Sequence, residues 1–496
     1  MFRLFCLLAL VFLHSLPTLA QDAAYRPFYS RDTTQLYKLA LAERAAVKTQ
    51  LVVPKSGGVE YRDDYRKVVK EASDDIFNSI RYSALLDPVL EPYVQQVFAR
   101  IQKANPQLPA ARLVLSRNPE PNAHAAANGT VMLNLGLLPR LENESQLAYI
   151  LCHELAHIAC RHLDKGIKAR LTTLHSRELR REYKRIINSE YNISSQIKSL
   201  ALGFSLNSNY HRRQFEQQAD SLGYVLLART TYEAPQAYRT LQLLDTIDQP
   251  ENLAPVPLAA YFSCAASPRT FAAAPAKSAS IFTVKAAEKT ALETSDTLKS
   301  HPDCVKRMRY VRALAKGQVA QGPQPASPPD FDRIRSLSRI ELVQSWFDYD
   351  CYDHALFEAL QLLPQQPHNA YLQAMVQLSL FELRQHLEAH TFSEVVSNVS
   401  ERQAANFNEL LRTLHELRIN NFHELSACFA RATPPTEVPA PADEFALAGR
   451  YAVAALAASP TDPAVLALRD DYRRRYPQGR FAALLPAPPA ARASHR

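Results

Sequence analysis

Three ionisable residues stand together in an otherwise apolar stretch, Leu147 to His162, as His153-Glu154-Leu155-Ala156-His157. On a helix of 3.6 residues per turn, residues four apart share a face. Both imidazoles can therefore reach one zinc ion, with Glu154 projecting beside them toward a water at that ion. Two histidines around a glutamate also fit an exposed helix face. Here, however, the flanking residues are too apolar for solvent, and ionisable groups placed among them need a common purpose. A hydrolytic zinc site takes three protein ligands and keeps one position for water. Arg213-Gln214-Phe215-Glu216-Gln217-Gln218-Ala219-Asp220 offers the third, with enough intervening chain for an antiparallel return. The spacing predicts one zinc ion per chain held by His153, His157 and Glu216, with Glu154 as general base. Asp220, one turn past Glu216, is placed to accept the free ring N–H of a ligand histidine.

The elements that must position these groups read as mainly α within an α+β class. Leu36 to Val47 and Tyr65 to Ile80 carry helical periodicity, and Asp87-Pro88 opens a helix over Val89 to Ala104. Arg112 to Ser116 and Gly129 to Leu133 are short, β-branched and bounded by Asn, Pro and Gly, which predicts two strands of a small sheet. Leu147 to His162 is expected as one helix. Arg161 to Arg185 holds nine Lys/Arg against three Asp/Glu and reads as a solvated helical face, with contact to an anionic surface as the alternative. Residues 254–300 lack periodicity, and the Pro-rich stretch 323–330 reads as a linker. Amphipathic segments follow at 340–347, 353–363, 370–383, 407–417 and 445–457, with a break at Pro434 to Pro441. Trp346, Tyr352, Ala355, Ala359 and Pro364 are similar to the tetratricopeptide pattern. The expected domains are thus 21–322, with its motifs in 85–312, then a tetratricopeptide-like helical region at 331–481 and a disordered tail at 482–496.

Composition narrows the function. Only 11 of 496 residues are Gly, which disfavours collagen-like and turn-dense all-β folds. Lys+Arg total 57 against 49 Asp+Glu, a formal charge of +8, yet no zinc-finger spacing, phosphate loop or aromatic-basic motif accompanies it, so nucleic acid is not expected as a partner. Arg3, the apolar run Leu4 to Leu13 and Thr18-Leu19-Ala20 predict a signal peptide over 1–20, cut after Ala20. No later stretch is long and apolar enough to span a bilayer. The expectation is an exported protein, periplasmic if the source is Gram-negative, in a compartment that permits disulfides. Cys152 and Cys160, about 12 Å apart along one helix, cannot bridge. The pairs to test are Cys264 with Cys304 and Cys351 with Cys428.

The motifs, taken together, resemble the zinc metallopeptidase family of the CAAX prenyl endopeptidases and HtpX, metallopeptidase family forty-eight. Carrying the resemblance are Asn122-Ala123 with Gly129, Gly136-Leu137-Leu138, Glu144 with Leu147-Ala148, and His153 to His157. Further on, Arg213 with Glu216, Ala219 and Asp220, and His301-Pro302 with Arg307, complete it in family order. It implies a zincin-like metallopeptidase domain and the ligand, base and supporting roles given above. It also implies that the strand after Asn122 is an edge along which a peptide substrate pairs. The soluble exported members, some with a tetratricopeptide domain, are the nearer ones. His124 stands where the family has an aromatic residue and reads as an exposed loop residue. The resemblance also turns His301 toward the cleft, either as a donor to the oxyanion or as a reversible zinc ligand that latches the enzyme, the long loop expected over Ala254 to Ser300 favouring the latch.

Two functions follow for testing. One is an endopeptidase acting on misfolded or stalled exported proteins, with the helical region engaging clients or envelope assembly partners. The other is a chaperone or scaffold with little proteolysis. Retention of Glu154 favours the first, because a binding-only protein needs no base.

Overall fold

The computed structural model describes residues 25–29, 33–187, 213–247, 256, 258–262, 304–317, 329–400, 403–433 and 443–485. The expected signal peptide, Cys264, His301, linker residues 323–328 and the tail from 486 lie outside them. In chain order the helices are α1 Thr34–Gln50, α2 Val59–Ser83, α3 Leu90–Ala104, α4 Glu144–Ala159, α5 His162–Leu174, α6 Arg177–Ile187, α7 at 213–228 and α8 Gln236–Thr246. They continue with α9 Leu258–Phe262, α10 Cys304–Leu314, α11 Pro329–Asp348, α12 Tyr352–Leu362, α13 Ala370–Glu388, α14 Phe392–Val395, α15 Ala405–Glu416, α16 Ile419–Ala432, α17 Glu444–Ala457 and α18 Pro463–Arg475. The strands are β1 Arg112–Ser116, β2 Ala123–Ala125 and β3 Thr130–Asn134.

Two compact units result, one from 32–248 with 279–338, the other from 1–31, 249–278 and 339–496. The last boundary between them, after Ser338, falls inside α11. In the first unit, α2 buries Tyr65, Val69, Ser73, Ile76 and Ile80, a helical stripe that packs on Ala40 and Val47 of α1. The sheet has the order β1-β3-β2, with β1 parallel and β2 antiparallel to β3. Residue patterning predicts two of its three strands, and the third, β2, is the strand after Asn122 that the family resemblance implies. At three residues and without a β-branched side chain, β2 carries no strand signal of its own. The chain leaves β3 through a 3₁₀ turn at Leu135–Arg140, where a Cβ on Gly136 would sit 1.8 Å from the Pro119 carbonyl oxygen, so no other residue fits.

Helix α4 is fastened at its start. Asn143 accepts a hydrogen bond from the Gln146 N–H at 3.1 Å. Glu144, in the first turn, receives Arg100 at 2.9 Å, the Tyr232 hydroxyl at 2.8 Å and the Tyr93 hydroxyl. A carboxylate there also meets the positive end of the helix dipole. At its other end α4 stops at Ala159, short of the expected His162. Arg161 adopts φ 56°, a left-handed turn that reverses the chain into α5. Most of the basic residues of α5 and α6 are exposed, and several pair locally, as Lys168 with Asp164 at 2.8 Å and Arg180 with Glu60 at 2.6 Å.

The second unit is helical, with a core that includes Leu356, Leu360, Tyr371, Met375, Phe381, Phe407, Phe422, Phe429, Phe445 and Leu456. Helices α16 and α18 add to the segments expected from sequence. Packing continues to the fully buried Leu485, past Ala482 where the tail was expected to begin. Residues 25–29 lie along this unit. Tyr25 and the Phe28 N–H donate to Glu341 at 3.0 and 2.5 Å, and Arg26 donates twice to Asp443 at 2.9 and 2.7 Å. Arg480 donates to the Pro27 and Phe28 carbonyls at 3.3 and 2.8 Å.

The expected cysteine pairs do not form. Cys428 is in a disulfide, whereas Cys304 and Cys351 remain thiols, as do Cys152 and Cys160. Cys351 precedes α12 with its sulfur turned to the Tyr349 carbonyl at 3.5 Å, and Cys304 is buried at the start of α10. Among the described residues no helix is long and apolar enough to cross a membrane.

Candidate active site

Helix α4 presents His153 and His157 one turn apart, and α7 brings Glu216 to them. The ring Nε2 atoms of the two histidines lie 3.1 Å apart, with the Glu216 oxygens 3.4 Å from His153 Nε2 and 3.6 Å from His157 Nε2. A tetrahedral ion with bonds of about 2.0–2.1 Å separates its ligands by about 3.3 Å, so the triangle has the size of one face of a zinc site. Two imidazole nitrogens at this distance need a proton or a metal ion between them. Glu216 Oε2 is buried and receives no hydrogen bond among the described residues. The donor set, two imidazoles and a carboxylate, is also that of hydrolytic zinc. The residues fit the metal.

Close approach of α7 to α4 depends on Gly223. A Cβ there would lie 3.1 Å from the His153 Cα and 3.2 Å from its nitrogen, and backbone cannot swing aside as a flexible side chain can. Asp220, fully buried one turn past Glu216, places Oδ1 3.1 Å from His153 Nδ1, the contact the spacing predicts. Asp220 is itself held by Tyr149, whose hydroxyl donates at 3.1 Å, and by Arg307 on α10 at 2.7 and 2.8 Å. Arg307 Nη1 also stands 3.3 Å from Glu216.

This charge pattern sets the ionisation of the metal-free site. Burial works against a charged His153, but Asp220 and Glu216 outweigh it and raise the ring to about 10. His157, buried beside that cation, falls to about 3. Burial also opposes ionisation of Glu216 and Asp220, yet Arg307 and His153 keep both below the usual carboxylate range. Glu154 differs. Burial and then the Glu216 charge push it up to about 7, against the opposing pull of His153, the Ala125 backbone and Arg307. A carboxyl in that range can both take and return a proton near neutral pH.

Glu154, the triad residues and β2 share a cleft of about 530 Å³, whose other walls include Gln50, Leu51, Leu163, Ile167 and Arg170. His124 lies on β2, exposed in this cleft, so it belongs to a strand and not to the loop expected from sequence. Strand β2 is bonded to β3 on one side and is an outer strand of the described sheet. His301 lies outside the described residues. The sequence reading missed Tyr149, Gln218 and His162 and gave Arg307 no role. For Tyr149 a signal existed, since it precedes His153 by four and so shares its helix face.

Residues 88–315 match the sequence profile described as Peptidase family M48, and that span encloses His153, Glu154, His157, Glu216, Asp220 and Arg307. This segment is an M48 peptidase domain. Members of the family depend on a metal, and the His153, His157 and Glu216 cluster is suited to hold one. The chain is also similar to curated relatives. Mitochondrial metalloendopeptidase OMA1 of Schizosaccharomyces pombe is 28% identical over 188 residues, 36% of this chain and 49% of its own length. Beta-barrel assembly-enhancing protease of Escherichia coli is 30% identical over 185 residues, 35% of this chain and 37% of its own. The chain thus spans about half or less of the length of these curated relatives.

Proposed function

We propose that the protein is a zinc-dependent endopeptidase with one ion per chain, held by His153, His157 and Glu216. The observation that carries this reading is the ligand triangle at tetrahedral spacing, with the Glu154 carboxyl in the same cleft. Zinc bound there supplies a Lewis acid and makes water nucleophilic near pH 7. Glu154 takes the proton from the attacking water and returns it to the leaving amine. Asp220 keeps the His153 ring oriented, and Arg307 keeps Asp220 and Glu216 ionised. An extended substrate pairs along the outer edge of β2, which sets the scissile bond beside Glu154. The signal sequence favours an exported enzyme whose substrates are misfolded or stalled exported proteins, engaged through the tetratricopeptide-like helical unit. His301 completes the catalytic set as latch or oxyanion donor. His301→Ala speeds cleavage in the first case and slows it in the second.

The test is cleavage of unfolded casein by zinc-loaded protein and by its Glu154→Gln variant. A drop of about 10²–10⁴-fold with zinc content unchanged is expected. Undiminished cleavage by the variant overturns the mechanism, and a zinc-loaded parent that leaves casein intact favours the scaffold reading.

A further inference from the structure

The two histidines of the triangle are steadied by different means. Asp220 serves His153. The Nδ1 of His157, on the side away from the triangle, meets Nδ1 of His162 at 3.0 Å, and His162 Nε2 meets the Gln218 side-chain oxygen at 3.0 Å. The His162 ring is buried and stacks on Phe215 at 4.6 Å with 15° between planes. The geometry points to His162 as the positioning residue for His157, an inference that rests on the metallopeptidase reading above.

Hydrogen placement along this chain leaves little freedom. His157 Nε2 faces the ligand triangle and must offer a lone pair there, so its proton sits on Nδ1 and is donated to His162. His162 Nδ1 is then the acceptor, its own proton sits on Nε2, and that proton goes to the Gln218 oxygen, which can only accept. Phe215 fixes the plane of the ring that does the accepting. Helix α7 consequently grips both histidines: Asp220 directly on His153, and Gln218 through His162 on His157. The break after α4 makes this possible. In an unbroken helix, residues 157 and 162 would point about 140° apart. The left-handed Arg161 swings His162 back over His157.

His162→Phe keeps the ring and its stacking on Phe215 but cannot accept from His157. Competition against a zinc chelator should show affinity weakened by about 10–100-fold, the usual range for losing such a partner. The melting of the metal-free protein should change little. Cobalt substituted for zinc should give shifted visible absorption bands in this variant, because the freed His157 ring rotates. His162→Asn, which can put an oxygen close to the Nδ1 position, should recover most of the affinity, and Gln218→Leu should fall between parent and His162→Phe. Parent-like zinc affinity with an unaltered cobalt spectrum in His162→Phe overturns the inference while leaving the metallopeptidase reading intact. If His162→Phe fails to fold, parent-like affinity in Gln218→Leu overturns it instead. A parent that binds zinc no better than His153→Ala overturns the metallopeptidase reading, and this inference with it.

Discussion

Arg307 and Asp220 are joined by two parallel hydrogen bonds, Nε to Oδ2 at 2.7 Å and Nη2 to Oδ1 at 2.8 Å, with 5% and 0% of their side chains exposed. Helix α10 is thereby tied to α7 at the carboxylate that steadies His153. Arg307→Met leaves that buried carboxylate uncompensated, and the metal-free protein should lose about 3–5 kcal/mol. Zinc should restore part of the loss, because the ion supplies positive charge to the same cluster. Melting curves with and without zinc check this, and equal losses in both states contradict it. Arg307→Lys should lie between, since a lysine cannot make the paired bonds.

Zinc binding should depend steeply on pH. His153 is lifted to about 10 in the metal-free site, so at neutral pH the ion must displace its proton, whereas His157 is already neutral and Glu216 already ionised. Apparent affinity should therefore rise about tenfold per pH unit between about 6 and 8. Chelator competition across that range measures the slope. A plateau above pH 7 would show that His153 titrates normally.

The helical unit has its own titration. Glu382 on α13 is buried, and burial, then the Asp350 charge, push it up to about 7 from 4.5. A carboxyl raised in this way favours folding below about 4.5 and loses that contribution as pH rises through 7. At about 1.36 kcal/mol per unit the change is on the order of 3 kcal/mol. Glu382→Gln should raise the melting temperature at pH 8, leave it near the parent value at pH 5, and flatten the slope between. A parent-like slope in the variant removes Glu382 as its source.

Where the M48 unit ends can be tested by truncation. Phe331, Ile334 and Leu337 on α11 are buried, and the Phe331 ring lies 6.3 Å from that of Tyr93 on α3. A chain stopped at 330, where the Pro-rich stretch ends, loses these contacts, while one stopped at 338 keeps them. The longer fragment should melt higher, and loss of a buried Phe alone costs about 3–5 kcal/mol. Equal melting would place the boundary back at the Pro-rich stretch.

The His153, Glu154 and His157 group and its partners Glu216 and Asp220 were legible because four-residue spacing on a helix fixes what shares a face. Asp87 and Pro88 marked the start of α3 to within one residue, through the cap that Asp87 provides to the Leu90 N–H at 2.6 Å. What depended on the chain reversing direction was not legible. His162 lay inside an apparently continuous helical pattern, and the left-handed Arg161 that ends it has no glycine to announce it. Strand β2 exists because β3 lies beside it, and the cysteine pairs depended on tertiary placement that spacing does not encode.

The seating of Tyr25 to Tyr29 has a consequence for biogenesis. Arg480 holds the Phe28 carbonyl across 452 residues of sequence, and Asp443 holds Arg26 across 417. In a chain made amino end first, the segment that closes the helical unit emerges more than four hundred residues before the side chains that receive it. Closure therefore waits until Asp443 and Arg480 have been made. Until then Tyr25 to Tyr29 stays open to chaperones and proteases, and a tag fused just ahead of Tyr25 competes with the final step of folding.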